Sequence, residues 1–205
     1  MNMIHFHAGV FQANCYMLWQ GDRALVIDPG GSYDRIVAEA KAVGAKVTDI
    51  LLTHAHFDHA GAVARLMQDG AKCYVHELDA DKCFTAKNLS GTFGIPFEIF
   101  TPTATLKDGD VLNLCGYEIK VVHTPGHTEG SVCYFVEDCI FSGDTLFCGS
   151  VGRTDLEGGS MDDLIDSLKN KLYCLERDYT VWPGHLQPTT IFAERDKNNF
   201  KLWSL

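Results

Sequence analysis

The run THAHFDHAG, from Thr53 to Gly61, follows directly on VTDILLT, an apolar run of strand length with no helical period. Such a run reads as a strand buried on both faces. The chain must therefore carry a buried strand to an edge where several polar side chains converge. Alternate residues of an extended segment point the same way, so His54 and His56 can approach one cation from one side. Asp58 and His59, turning into the helix that follows, can reach a second cation a few ångströms away. Imidazole nitrogen and carboxylate oxygen suit zinc, iron or manganese at about 2.0–2.2 Å.

Three later segments repeat the pattern of a polar group at a strand end: His127 in HTPGHTEGS, Asp144 in FSGDTLF and His185 in WPGHLQP. In α/β folds the ends of strands are where sites assemble. Strand-like runs come first (MIHFH, CYMLW and ALVID), the third stopped by Pro29-Gly30-Gly31. A helix is expected from about Ser32 to Val43, with Ile36, Val37, Ala40 and Val43 on one face. A second is expected from about Ala60 to Gln68, ahead of a strand near Ala71 to Val75. After a loop-rich stretch around Pro96 to Pro102 come VLNL, YEIKVVH, SVCYFV and CIFSG, then a glycine-rich loop. Ser160, with Asp163 three residues on, is a good start for a helix whose apolar face is Leu164, Ile165, Leu168 and Leu172. Strand TVWP and a helix after Thr189 follow. The alternation specifies a mixed α/β class.

Composition narrows the partners. A net charge of −10 without a lysine- and arginine-rich run argues against nucleic acid, which needs a basic surface. At 205 residues the chain suits one domain, 1–205. No segment approaches the ~18 uninterrupted apolar residues of a membrane span. The N-terminal MNMIHFHAGV does not read as a secretory leader, and the cysteines are scattered with no C-x-x-C pair, as expected of reduced thiols in a cytoplasmic protein.

The ordered set HxHxDH, TPGHT, SGD and PGH resembles the metallo-β-lactamase superfamily nearly end to end. Within it, VIDPGG, TPGHTEGS, SGDTLF and GRTD resemble the compact glyoxalase II-like hydrolases. The resemblance implies a four-layer αββα sandwich with two divalent metal ions at the top edge of its sheets, zinc ahead of iron or manganese. It implies His54, His56 and His127 on the first metal, Asp58, His59 and His185 on the second, and Asp144 bridging both. His5, His7, His76 and His123 match no ligand position, although His123 lies close enough to His127 to support it.

The chemistry so implied is hydrolysis of a small molecule by a metal-bridging hydroxide, with Asp58 hydrogen-bonded to that hydroxide and Asp144 holding the metals. The substrate implied is a small thioester such as a 2-hydroxyacyl thiol conjugate. Two alternatives share most of these ligands: a mononuclear iron persulfide dioxygenase and a lactonase. Asp28 can end its strand and also accept a hydrogen bond from a ligand histidine. Arg153 can grip an acidic substrate group or simply pair with Asp155. Cys148 has no adjacent base to activate it. In PGHLQPTT, Leu186 and Gln187 stand where the family has Gly and Pro, adding bulk beside His185. Oligomeric state is open.

Overall fold

The computed structural model describes residues 1–198 of the chain. Six strands make the first sheet, in the spatial order of the chain: β1 (Met3–Ala8), β2 (Ala13–Gln20), β3 (Arg23–Ile27), β4 (Lys46–Leu51), β5 (Lys72–His76) and β6 (Ala104–Leu106). The β1–β2 and β2–β3 pairs are antiparallel; β3 to β6 run parallel. Parallel neighbours need crossovers. Helix α1 (Tyr33–Ala42) supplies the first, α2 (Phe57–Ala60) with α3 (Val63–Gln68) the second. A 3₁₀ segment, Glu77–Phe84, and the short α4 (Ser90–Phe93) lie on the way from β5 to β6.

The second sheet contains β7 (Val111–Leu114), β8 (Tyr117–His123), β9 (Val132–Val136) and β10 (Cys139–Gly143). A separate hairpin follows, β11 (Leu146–Phe147) with β12 (Ser150–Val151), and then α5 (Met161–Ser167), β13 (Thr180–Pro183), β14 (Thr189–Thr190) and α6 (Ile191–Lys197). The sheet order is β14-β13-β10-β9-β8-β7, with β10 and β13 parallel.

Layering follows from the period of two along each strand. In β2, Tyr16 and Leu18 face the second sheet while Cys15 and Met17 face the helices; in β3, Leu25 and Ile27 divide in the same way from Ala24 and Val26. Tyr117, Ile119 and Val121 of β8 answer from the other side, as do Val132, Tyr134 and Val136 of β9. Three apolar clusters result. One lies between the first sheet and its helices, one between the sheets, and one between the second sheet and the helices of the C-terminal part. Three cores separate four layers, the αββα sandwich.

At one edge the two sheets are joined by hydrogen bonds as well as by apolar contact. Tyr134 donates its hydroxyl to the Leu52 carbonyl at 2.6 Å, and the Val132 amide donates to Thr53 at 2.8 Å. Tyr16 donates to the Pro183 carbonyl at 2.6 Å and the Asn14 amide to Gly184 at 2.7 Å. The acceptors lie at or just beyond the carboxyl ends of β4 and β13, so both strand ends are held at the same rim.

Two expected helices differ in detail. The one expected over Ala60–Gln68 is two pieces, because the Ala62 amide donates to Pro29 at 2.8 Å and Gly61 lies against the Gly30 carbonyl, where a Cβ would approach to 2.6 Å. The helix begun by Ser160, whose hydroxyl accepts from the Asp163 amide at 3.3 Å, widens into a π-type turn over Leu168–Leu172. Leu164, Leu168 and Leu172 are buried as expected, whereas Ile165 is only half-buried. Among the described residues no helix is long and apolar enough to cross a membrane.

The Tyr134 hydroxyl is fully buried, and removing it withdraws this donor from the Leu52 carbonyl. Tyr134→Phe should lower the unfolding free energy by about 1–2 kcal/mol. The measurement is a lower urea midpoint at unchanged m value; an unchanged midpoint would show that the carbonyl does not depend on this bond.

Candidate metal centre

Every polar side chain singled out by the motifs stands just past the carboxyl end of a strand or at the turn that follows. Asp28 comes after β3, His54 and His56 after β4, Asp58 and His59 within α2, His127 after β8, Asp144 after β10 and His185 after β13. The structure brings them together. His54, His56 and His127 offer ligand atoms within 4.8 Å of one another, and so do Asp58, His59 and His185. Between the two groups lies Asp144. Its Oδ1 is 3.4 Å from His59 Nε2, and its Oδ2 is 3.6 Å from His127 Nε2 and 3.7 Å from His185 Nε2.

Several of these atoms are buried without a hydrogen-bond partner: Nε2 of His54, His56 and His59, and Oδ1 of Asp144. Buried polar atoms are rarely left so, and each unsatisfied one marks a missing partner. His56 Nδ1 and His127 Nε2 face each other at 3.0 Å, an arrangement that suits two lone pairs directed at a shared cation. Gly184 keeps the second group open. A Cβ there would lie 2.2 Å from Asp144 Oδ1 and 2.8 Å from His59 Cε1. The PGH turn therefore needs its glycine for space, and the donor set fits a pair of divalent cations.

Charge is unevenly divided between the two groups. Burial, with the neighbouring imidazoles, holds His54 and His56 well below the usual histidine pKa, so both are neutral donors. For His59 burial acts in the same direction but is overcome by Asp144, Asp58 and Asp28, which push it up to about 10. Burial would raise the Asp58 carboxyl, yet His59, His185 and His56 hold it well below the ordinary carboxylate range. Positive charge is thus strongly favoured in the second group.

Neighbouring bonds set the ring tautomers. His59 Nδ1 donates to Asp28 Oδ2 at 3.0 Å, which turns Nε2 toward the site. Asp28 also accepts the Thr53 amide at 2.8 Å and the Thr53 hydroxyl at 2.6 Å. Because that hydroxyl donates to Asp28, it accepts from His54 Nδ1 at 3.2 Å. One carboxylate therefore orients a histidine of each group. His127 Nδ1 donates to the Arg153 carbonyl at 2.7 Å, which again directs Nε2 inward. Asp28 with His54 and His59 also forms a compact trio, but its oxygens are engaged by these three donors.

Asp79 was not singled out by the motifs. It is fully buried and accepts four hydrogen bonds: Ala55 N at 3.0 Å, Thr128 Oγ1 at 2.9 Å, Gly130 N at 3.0 Å and Lys82 Nζ at 2.8 Å. Ala55 lies between His54 and His56, and Thr128 follows His127. Asp79 thus ties together the loops that carry the first group. In the sequence ELDADK it looks like one more surface acid of a helix, so only its burial could have revealed it.

The remaining candidates sit at or beyond the margin. Arg153 borders the same cleft as the histidines, with its guanidinium held by Asp155 through bonds of 2.7 and 2.8 Å. His123 stacks on His76 at 4.1 Å and bonds to the Glu129 carbonyl at 2.8 Å, near His127 but outside the cluster. Cys148 receives a weak bond from Gln187 Nε2 at 3.4 Å. Leu186 adopts φ 66, a left-handed conformation that favours glycine, and its side chain is 56% exposed. The expected bulk beside His185 therefore faces solvent.

Comparison with known proteins agrees with this geometry. The pattern of the Metallo-beta-lactamase superfamily matches residues 8–185. The hydroxyacylglutathione hydrolase GloC of Haemophilus influenzae is 33% identical over 207 residues, which cover 98% of either chain. The crystal structure of the BLEG-1 B3 metallo-beta-lactamase superposes with a TM-score of 0.90 at 36% identity, covering 97% of this chain and 99% of that one. TTHA1623 in a di-iron-bound form gives 0.86 at 36% identity, over 96% and 99%. With its layers, its motifs and its histidine-rich strand ends, this chain belongs to the metallo-beta-lactamase superfamily.

Proposed function

We propose that the chain is a two-metal hydrolase acting on a small thioester. The observation that carries this reading is the convergence of His54, His56, Asp58, His59, His127, Asp144 and His185 with buried ring nitrogens and a carboxylate oxygen left without partners. His54, His56 and His127 would hold one divalent cation, Asp58, His59 and His185 the other, and Asp144 would touch both. Zinc suits these donors and iron does as well; the relative in a di-iron-bound form supports a pair of ions without naming the metal here. When bound, such a pair polarises a carbonyl oxygen and brings the pKa of water toward about 7.

The chain's own residues do the positioning. Asp58 borders the cleft, 3.4 Å from His185 Nε2, and its neighbours keep it ionised. It is placed to accept a hydrogen bond from the attacking water and so to orient it. Asp28 and the Arg153 carbonyl hold three imidazoles in the tautomers that leave Nε2 inward, and Asp144 keeps the two groups at a fixed separation. The thioester class draws support from the GloC relative and from the VIDPGG and SGDTLF segments. The gathering of Asp58, His59 and His185 beside the first group supports a second ion, and the PGH context of His185 favours the hydrolase over a persulfide dioxygenase.

Elemental analysis of protein purified without added metal should find two ions per chain. Asp144→Ala should lose at least one of them and reduce thioester turnover by more than about a hundredfold, the upper scale for outer-shell groups alone. One iron per chain, with oxygen consumed on a persulfide, would replace this reading by the dioxygenase. Asp79→Asn should weaken metal binding by about 10- to 100-fold, measured by competition with a chelator, with a smaller loss of kcat once metal is saturating. Unchanged metal affinity would confine Asp79 to stability.

A further inference from the structure

The cleft above the metal centre has a volume of about 390 Å³. Its floor includes His56, Asp58, His127, Asp144 and His185, while its walls are largely apolar. On one side Phe11, from the β1–β2 turn, Phe57, between His56 and Asp58 in the chain, and Phe93, from α4, meet edge to face or tilted. Their ring centroids are 5.1, 5.3 and 5.5 Å apart. Phe11 and Phe93 are each 42% exposed, so each presents ring surface to the cleft that no protein group covers. Phe147, Val151 and Leu156 add to the apolar lining.

Polar recognition is weak by comparison. Among the described residues bordering the cleft, Arg153 is the only lysine or arginine, and its Nε and Nη2 are already engaged by Asp155, so its fork is not free to meet an anion in the two-point geometry of that edge. A charged partner gains little from a guanidinium already matched by a carboxylate. Glutathione conjugates carry two carboxylates and an ammonium group, and the described walls set against them one guanidinium that already shares its charge with Asp155. An aromatic ring finds the exposed surface of Phe11 and Phe93, both packed on the buried Phe57, and ring pairs add to the gain from apolar burial.

We propose that the cleft selects an uncharged thioester bearing an aromatic or branched apolar group, which lies against Phe11 and Phe93, in preference to an anionic thiol conjugate. This deepens the thioester reading given above and rests on it for the reaction, though not for binding. Phe57, only 5% exposed, ties this surface to the site: its backbone joins one ligand of each group, so Phe11 and Phe93, packed on its ring, lie at a fixed offset from both.

Turnover by the metal-loaded chain is to be compared for the phenylacetyl thioester of N-acetylcysteamine and for lactoylglutathione. The aromatic thioester should have a kcat/KM higher by about tenfold or more, the scale of apolar discrimination in a pocket. Phe11→Ala and Phe93→Ala, both at partly exposed positions, should each reduce that ratio at least threefold (about half a decade), through KM more than kcat. A preference for lactoylglutathione, or a ratio unmoved in both variants, would overturn the proposal. Calorimetric binding of phenylacetate against lactate separates the two readings. Tighter phenylacetate binding that weakens in Phe93→Ala, with no thioester turned over, would remove the reaction and keep the apolar selectivity. Equal binding of the two acids would remove the selectivity whatever the turnover.

Discussion

A carboxylate that is only 1% exposed has lost nearly all its water, and a non-glycine residue at φ 52 is held in a sparsely populated conformation. Asp28 carries both costs at once. They are offset by three charge-assisted hydrogen bonds, from the Thr53 amide, the Thr53 hydroxyl and His59 Nδ1. The same bonds do the ordering. Through Thr53 the carboxylate fixes His54, and directly it fixes His59, so one group sets the ring orientation on both sides of the centre. The neighbouring Pro29-Gly30-Gly31 turn can lie close enough only without side chains, since a Cβ on Gly30 would come within 1.7 Å of the Asp58 carbonyl. The segment VIDPGG is thus a seat for HxHxDH.

The two sheets could slide if apolar contact alone joined them, because burial is not directional. They are pinned at the rim where Tyr134 and Val132 bond to Leu52 and Thr53, and where Tyr16 and Asn14 bond to Pro183 and Gly184. Asn14 adds bonds from its side chain to the Pro183 and Leu186 carbonyls, at 2.9 and 2.8 Å. These contacts stop within a few residues of His54 and His185. Across the gap, Gly143 at φ 48 lies against Thr53, where a Cβ would approach Oγ1 to 2.2 Å, and so delivers Asp144 between the groups. Ligands from opposite sheets can share a cation only if the sheets hold a fixed offset, and this edge provides it.

Legibility from sequence follows distance along the chain. Strands with a period of two, the Ser160 helix start and the histidine run are local patterns, and each has its counterpart in the structure. The broken helix after His59 was not legible, because its cause is the Pro29 carbonyl on another connection. Asp79 was hidden for the same reason: its acceptor role depends on Ala55, Thr128 and Gly130, separated from it by 24, 49 and 51 residues. The departure at Leu186 could be seen against the family pattern, but its direction could not. Only the backbone angle explains why glycine is favoured there and why the leucine points outward.

The floor and the walls of the cleft are built under different constraints. Floor residues leave strand ends that are hydrogen-bonded across both sheets, and a change there disturbs several partners. Apart from Phe57, most of the walls come from the β1–β2 turn, the connection containing α4 and the β11–β12 hairpin with the loop after it, none of which supplies one of the seven floor ligands. A hydroxyacylglutathione hydrolase and a B3 metallo-beta-lactamase resemble this chain at 33% and 36% identity, which is what such a division allows. The chemistry of the floor can be shared while selectivity is decided by the side chains above it. For this chain those include Phe11, Phe93, Phe147, Val151 and Leu156, with Arg153 bonded to Asp155.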